Sequence, residues 1–292
     1  MSKPSLGFVG AGKLGTALAK SCTAVGYRVT VIYSRSFEDA AALAEGLPET
    51  ESVTDIARVT EADLTFLTVP DDAIATVCAS IPWTRSSGVV HCSGALSLDV
   101  LDAATQVGAS AGSLHPLQTF AGKSGGRERL SDIAYALEAS DDRMHGMLES
   151  LVAALGGRPQ WISSSDKPLY HASAAMASNY LVTLLGDAAK LWESFGESRA
   201  NGLQSLLPLV RGTMENLEGV GLPDALTGPI ARGDVETVRL HLQALTASHP
   251  EVLPSYVAMG KRTIALGREK GTLAEAAAHA IEELLIAATR EA

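Results

Sequence analysis

The chain has 292 residues, 46% of them hydrophobic, enough to bury a substantial core and long enough to favour two domains over one. A formal net charge of −10 speaks against a general binder of nucleic acid or anionic membranes, which would present a large basic face. Three scattered cysteines, Cys22, Cys78 and Cys92, form neither a disulfide framework nor a C-x-x-C metal spacing, which suits a reducing cytoplasm.

The N-terminal stretch lacks the apolar core of a signal peptide, because Leu6 to Val9 is followed at once by a glycine turn and Lys13. From residue 6 to about 162, short apolar runs alternate with helical patterns, the signature of a doubly wound α/β domain. Strands are predicted over 6–10, 28–33, 64–69, 88–91, 109–114, 133–138 and 159–162, and helices over 14–25, 38–44, 72–80 and 143–155. Residues 121–129, small and glycine-rich beside charges, read as a mobile loop.

After Ser163 the pattern turns to long Ala- and Leu-rich helical periods with no further strand, so residues 1–163 and 164–292 are expected to form an α/β domain and an all-α C-terminal domain. Ser164-Ser165-Asp166 opens a long helix over 167–195, where Pro168 is tolerated in the first turn. The uncharged run between Lys167 and Asp187 has the length of a membrane span, but it holds His171, Ser173, Ser178, Asn179 and Thr183 and fits a buried soluble helix better. Asp234 reads as the cap of another helix with Val235, Val238, Leu242 and Leu245 on one face. Thr272 and Glu275 read as a capping box.

Gly10-Ala11-Gly12-Lys13-Leu14-Gly15 follows a predicted strand and opens a predicted helix, the context that a dinucleotide-binding turn needs. That makes the N-terminal part a Rossmann doubly wound sheet. Gly10 permits the turn, Gly12 the approach of a pyrophosphate and Gly15 close packing, while the N–H groups from Lys13 and Leu14 onward meet phosphate. The end of the second strand carries Ser34, Arg35 and Ser36 rather than a carboxylate, which favours the 2′-phosphate of NADP over the free ribose of NAD. Val69, Pro70 and Ser93 follow later strands on the ligand edge of the same sheet.

A nicotinamide supplies hydride, so the protein must supply a proton donor and substrate-holding groups. His115 follows the strand predicted over 109–114; a histidine bonded within a turn before Pro116 is the other reading. His171 stands on the first helix of the helical domain, where Lys167, His171, Ser178 and Asn179 make one polar stripe on an apolar helix. Such a stripe lines either a wet cleft or a hydrogen-bonded interface. Arg232, just past a glycine and proline turn, can clamp a substrate carboxylate with Thr227 as a further donor, or pair with Asp234. No grouping has metal-ligand spacing and no nucleophile elbow is present.

Taken together, Gly10–Gly15 with Ser34-Arg35, Val69-Pro70-Asp71, His91-Cys92-Ser93-Gly94-Ala95, Ser113 through Gln118, Tyr170-His171-Ala172 through Asn179, and Leu226 through Pro229 with Arg232-Gly233-Asp234 resemble a bacterial family. Its members join a Rossmann-like domain to a helical domain of unknown function. The resemblance extends to NADP-dependent reductases with a 6-phosphogluconate-dehydrogenase-like helical domain, including ketopantoate reductase and pyrroline-5-carboxylate reductase. Ketopantoate reductases carry Lys-x-x-x-Asn-x-x-x-Asn on the first helix of that domain. Against that pattern His171 replaces the lysine, Ala175 the first asparagine, and Asn179 keeps the second.

The resemblance implies an NADPH-dependent reductase in which His171 is the proton donor, Asn179 and His115 hold the substrate, and Lys167, Thr227 and Arg232 contact it. A ketopantoate-like 2-oxo acid is the first substrate and a cyclic imine the alternative. A non-catalytic NADP-binding sensor is the reading from another class. The apolar helical half implies a homodimer in the cytoplasm.

Overall fold

Alternation with a period of two sends Leu6 and Phe8 of the first strand to one side of a sheet and Val9 to the other, and all three are buried. Burial on both faces is what a parallel sheet covered by crossover helices requires. The structure, a computed structural model, describes residues 3–120 and 130–291. The loop expected over 121–129 lies outside the described residues.

Eight strands make one sheet among the described residues: β1 (Leu6–Val9), β2 (Val29–Tyr33), β3 (Glu51–Val53), β4 (Leu64–Leu67), β5 (Gly88–His91), β6 (Ser110–Pro116), β7 (Ala134–Ala139) and β8 (Arg158–Trp161). Their order is β3-β2-β1-β4-β5-β6-β7-β8. Strands β1 to β6 are parallel; β7 runs antiparallel to β6, with Leu114 opposite Leu137, and β8 parallel to β7. The switch point, where the winding reverses between β1 and β4, opens at the carboxyl ends of the strands.

The first unit holds α1 (Lys13–Ala24), α2 (Phe37–Glu45), α3 (Ile74–Ala79), α4 (Asp102–Thr105), α5 (Asp142–Leu155) and α6 (Lys167–Ala175). One face of the sheet buries Phe8 stacked on Phe66 at 5.2 Å together with Leu18, Leu114 and Leu148. The other buries Val9, Val31, Leu67, Ile74 and Leu101. Each such side chain stabilises the fold by about 1.5–3 kcal/mol.

The chain divides into two compact units, Met1–Ser178 and Asn179–Ala292. Where one uniform helix was expected over 167–195, α6 passes through a π turn (Met176–Tyr180) into α7 (Leu181–Lys190) and a 3₁₀ turn (Leu191–Phe195). A π turn takes an extra residue, so Asn179 and the residues after it leave the face that 100° per residue assigns.

The second unit continues with α8 (Arg199–Val220), α9 (Pro229–Arg232), α10 (Val235–Ser248), α11 (Leu253–Lys270) and α12 (Glu275–Glu291). Its core is Ile230, Val238, Leu242, Val257, Ile264, Ile281 and Leu285. Asp234 caps α10 as expected, accepting from the Thr237 N–H at 3.1 Å and hydroxyl at 2.7 Å. The capping box does not form. The Thr272 hydroxyl donates to the Ala231 carbonyl at 2.9 Å, Glu275 accepts from Arg268, and α12 begins only at Glu275. Helices α7 and α8 bury only Ala189 and Gly202, leaving Val182, Leu209 and Val220 exposed. No helix among the described residues is long and apolar enough to cross a membrane.

Candidate functional site

The glycine turn is built as its three roles require. Gly10 has φ +107°, and a Cβ there would lie 2.6 Å from the Thr68 carbonyl oxygen. The Thr68 hydroxyl donates to the Gly10 carbonyl at 2.7 Å, tying the turn to the end of β4. A Cβ on Gly15 would collide with the Gly10 carbonyl oxygen, so α1 packs tightly on the turn only with glycine. Gly12, by contrast, has open space around its Cα.

As the residue preceding α1, Gly12 brings no side chain to cap it. The first-turn N–H groups, at the positive end of the helix dipole, are left for an anion. They open on a cleft of about 870 Å³ lined by Gly10, Gly12, Ser34, Arg35, Val69 and Pro70 among others. Arg35 is exposed and makes no ion pair among the described residues. Ser36 also lines the cleft, but its oxygen caps α2 by accepting from the Asp39 N–H at 3.2 Å, and its proton goes to Glu38. Lys13 is exposed, and Leu14 turns its side chain against the core.

A second group lies past β5 and β6. Lys167, on the first turn of α6, is 1% exposed, and its ammonium donates to the Leu96 carbonyl (2.8 Å) and the Ser113 hydroxyl (2.7 Å) and pairs with Glu138 (2.8 Å). Two hydrogen bonds and an ion pair thereby hold it, so the lysine expected at a substrate instead pins α6 to the sheet. Burial pushes its pKa down, and Glu138 opposes the shift. One turn on, Tyr170 and His171 share its side of the helix.

His115 is the penultimate residue of β6, inside the strand rather than beyond it. Its Nδ1 lies 2.8 Å from the Tyr170 hydroxyl, and its ring meets those of Tyr170 and His171 edge-on, with centroids 5.6 and 6.0 Å away. Between the two histidines sits Gly94, whose added Cβ would lie 2.8 Å from His171 Cδ2 and 3.0 Å from His115 Nε2. Burial above all, then the neighbouring His171, pushes the pKa of His115 down to about 4, so the ring is neutral at pH 7. Burial holds the Tyr170 phenol up at about 12. Beside them Ser93 donates to Asp71 at 2.6 Å and accepts from the N–H groups of Ala95 and Leu96.

The first unit thus brings His115, His171, Lys167 and Ser93 to one edge of the sheet and the glycine turn, Ser34, Arg35, Val69 and Pro70 to one cleft. Asn179 lies in the π turn, at the start of the second unit. Thr227 and Arg232 are exposed around α9, and with Asp234 spent on its helix, Arg232 has no ion-pair partner among the described residues. Sequence reasoning assigned no role to Tyr170, Asp71 or Glu138. For Tyr170 the i+3 spacing from Lys167 was an available signal; for Glu138, on the distant strand β7, there was none. No group of three or more His, Cys, Asp or Glu that could hold a metal occurs among the described residues.

A doubly wound sheet of this strand order, with a glycine turn at its first crossover and a helical unit after it, defines a nucleotide-binding class of fold. The family model for a Rossmann-like domain matches residues 1–116, and the model described as a domain of unknown function (DUF2520) matches residues 133–263. The chain therefore carries a Rossmann-like domain followed by that domain. No curated protein matches in sequence.

Among solved structures, a protein provisionally named an NADP oxidoreductase, from Bacteroides fragilis, is 26% identical with a TM-score of 0.67, covering 91% of this chain and 97% of its own. A protein from Thermotoga maritima is 25% identical with a TM-score of 0.73, covering 91% and 99%. The 1-pyrroline-5-carboxylate reductase of Streptococcus pyogenes, 18% identical with a TM-score of 0.63 over 92% and 98%, shares the fold.

Proposed function

We propose that this chain is an NADPH-dependent reductase of a small carbonyl or imine. The observation that carries the reading is the cleft over the glycine turn, where a helix N-terminus without a side-chain cap meets Ser34 and an Arg35 that has no ion-pair partner among the described residues. The first suits a pyrophosphate and the second a 2′-phosphate, bound bidentately. NADP also fits the name given to the similar Bacteroides protein.

His171 and His115, facing each other across Gly94, are the proposed proton-transfer pair. A small 2-oxo acid such as ketopantoate remains the first substrate to try. A second reading, a cyclic imine, is favoured by the charges at the sheet edge. His115 is neutral and Lys167 is cancelled by Glu138, so neither sets a positive charge against a cationic iminium. Pyrroline-5-carboxylate is the substrate in the name of one fold relative.

A homodimer belongs to the same proposal. The 22 residues of α8 bury only Gly202, too little apolar surface to hold a helix in water, and a second copy laid on α7 and α8 would cover Val182, Leu209 and Val220. Three free, buried cysteines suit a reducing compartment.

The test is NADPH binding by fluorescence, followed by NADPH absorbance while 2-oxo acids and cyclic imines are offered in turn. Oxidation with one of them, and an Arg35→Ala variant whose NADPH affinity falls about tenfold toward that for NADH, are the expected results. No NADPH binding overturns the proposal. Tight binding with no substrate oxidising it turns the reading to a nucleotide sensor.

A further inference from the structure

We propose that Tyr170 is the positioning residue of this site, its phenol holding His115 with the ring proton on Nε2, where it faces the space beside Gly94. The inference rests on the reductase reading and assigns the proton within it. Three observations carry it. Nδ1 is 2.8 Å from the Tyr170 hydroxyl, so only Nε2 remains for a ligand. Nε2 has no hydrogen-bond partner among the described residues, and it is not among the buried, unpaired polar atoms. Tyr170 is itself held in place one turn beyond Lys167, whose ammonium is fixed to β6, β7 and the Leu96 loop.

Between a protonated phenol and a neutral imidazole, the phenol is the stronger donor and the bare ring nitrogen the stronger acceptor. Nδ1 therefore accepts, and the ring hydrogen sits on Nε2. Protons and electron pairs balance through the step. With NADPH bound to supply hydride to a carbonyl carbon, the C=O π pair would move to oxygen and that oxygen would take the proton of Nε2. The N–H bond pair stays on the ring and Nδ1 takes the phenol proton; water then protonates Nε2 as Nδ1 returns its proton to the tyrosinate, which restores the starting tautomer. His115 remains neutral before and after, which a ring kept off protonation by burial requires. On this assignment His115 touches the reacting oxygen and Tyr170 acts through it.

The test uses ¹⁵N NMR of the histidine rings in the full chain, with His115 assigned by the signal lost in His115→Gln. The expected spectrum has hydrogen on Nε2 and a bare, accepting Nδ1, changing to mixed tautomers in Tyr170→Phe. Hydrogen on Nδ1 in the unaltered protein overturns the proposal. Once a substrate is known, Tyr170→Phe should lower kcat for a ketone relative to an N-alkyl iminium, which needs no proton, by about 100-fold with NADPH affinity within twofold. An equal fall with both substrates also overturns it. If the unaltered protein binds no NADPH, it is the reductase reading that fails, and the tautomer decides the Tyr170 assignment alone.

Discussion

Mild acid should destabilise the first unit well before its carboxylates titrate. His91, fully buried on β5, has its pKa pushed down to about 3 by burial and by the charge of Lys167, and His115 is pushed to about 4. An unfolded chain protonates both near 6.5. Between these values the unfolded state binds more protons, so the stability present above pH 6.5 is lost as pH falls toward the folded values. From pH 7 to pH 5 each histidine costs about 2 kcal/mol, about 4 kcal/mol together, against total stabilities of about 5–15 kcal/mol. Carboxylates held low, such as Asp63 beneath the N–H and hydroxyl of Ser5, give up their contribution only at lower pH. The assay is urea unfolding at pH 7 and pH 5 and fixed ionic strength, followed by the buried Trp83 in a Trp161→Phe, Trp192→Phe background. A loss under 1 kcal/mol refutes the reasoning. So does a His91→Gln variant that keeps the whole pH slope, because that variant should keep about half.

Gly15→Ala should destabilise the first unit by about 1–3 kcal/mol and weaken NADPH binding at least tenfold, since its Cβ meets the Gly10 carbonyl and, at 2.5 Å, the Thr68 hydroxyl. Urea unfolding and fluorescence titration read the two effects, and unchanged affinity would detach the turn from the nucleotide. Lys167→Met strands Glu138 in a nearly closed site and should cost about 3–5 kcal/mol, much of it restored by adding Glu138→Leu; a full double-mutant cycle checks this. Leu209→Glu should convert a dimer to monomer in sedimentation, and a wild-type chain already monomeric at micromolar concentration would remove the proposed α7 and α8 interface.

Much of the first unit was legible because its signals are local. Period-two burial in Leu6, Phe8 and Val9, a turn whose glycines sit at fixed offsets, and Asp234 before an apolar helical face all lie within a few residues of the structure they specify. Strand β3 was missed since Glu51-Ser52-Val53 is three residues long and owes its place to pairing with β2 rather than to its own pattern. The failed capping box has the opposite cause. Thr272 and Glu275 have the right spacing, but the Ala231 carbonyl and the Arg268 guanidinium, both brought by the fold, compete for them.

The candidate site was legible in its residue types and not in its partners. Helical periodicity placed Lys167 and His171 on one stripe and gave the stripe a choice between a wet cleft and a bonded interface. The structure divides the stripe between the two. Lys167 is the bonded end, because Ser113 on β6 and Glu138 on β7 lie 54 and 29 positions away along the chain and only the sheet brings them to it. His171, one turn on, is the exposed end. The same anchoring bears on the two histidines. A lysine locked by three partners fixes the height and rotation of α6 over Gly94, so the spacing of His115, Tyr170 and His171 is set by a residue that need not touch a ligand. Lysine at the start of this helix would then be retained for geometry, and replacing it should disturb the Tyr170 to His115 bond before it disturbs any charge at the substrate.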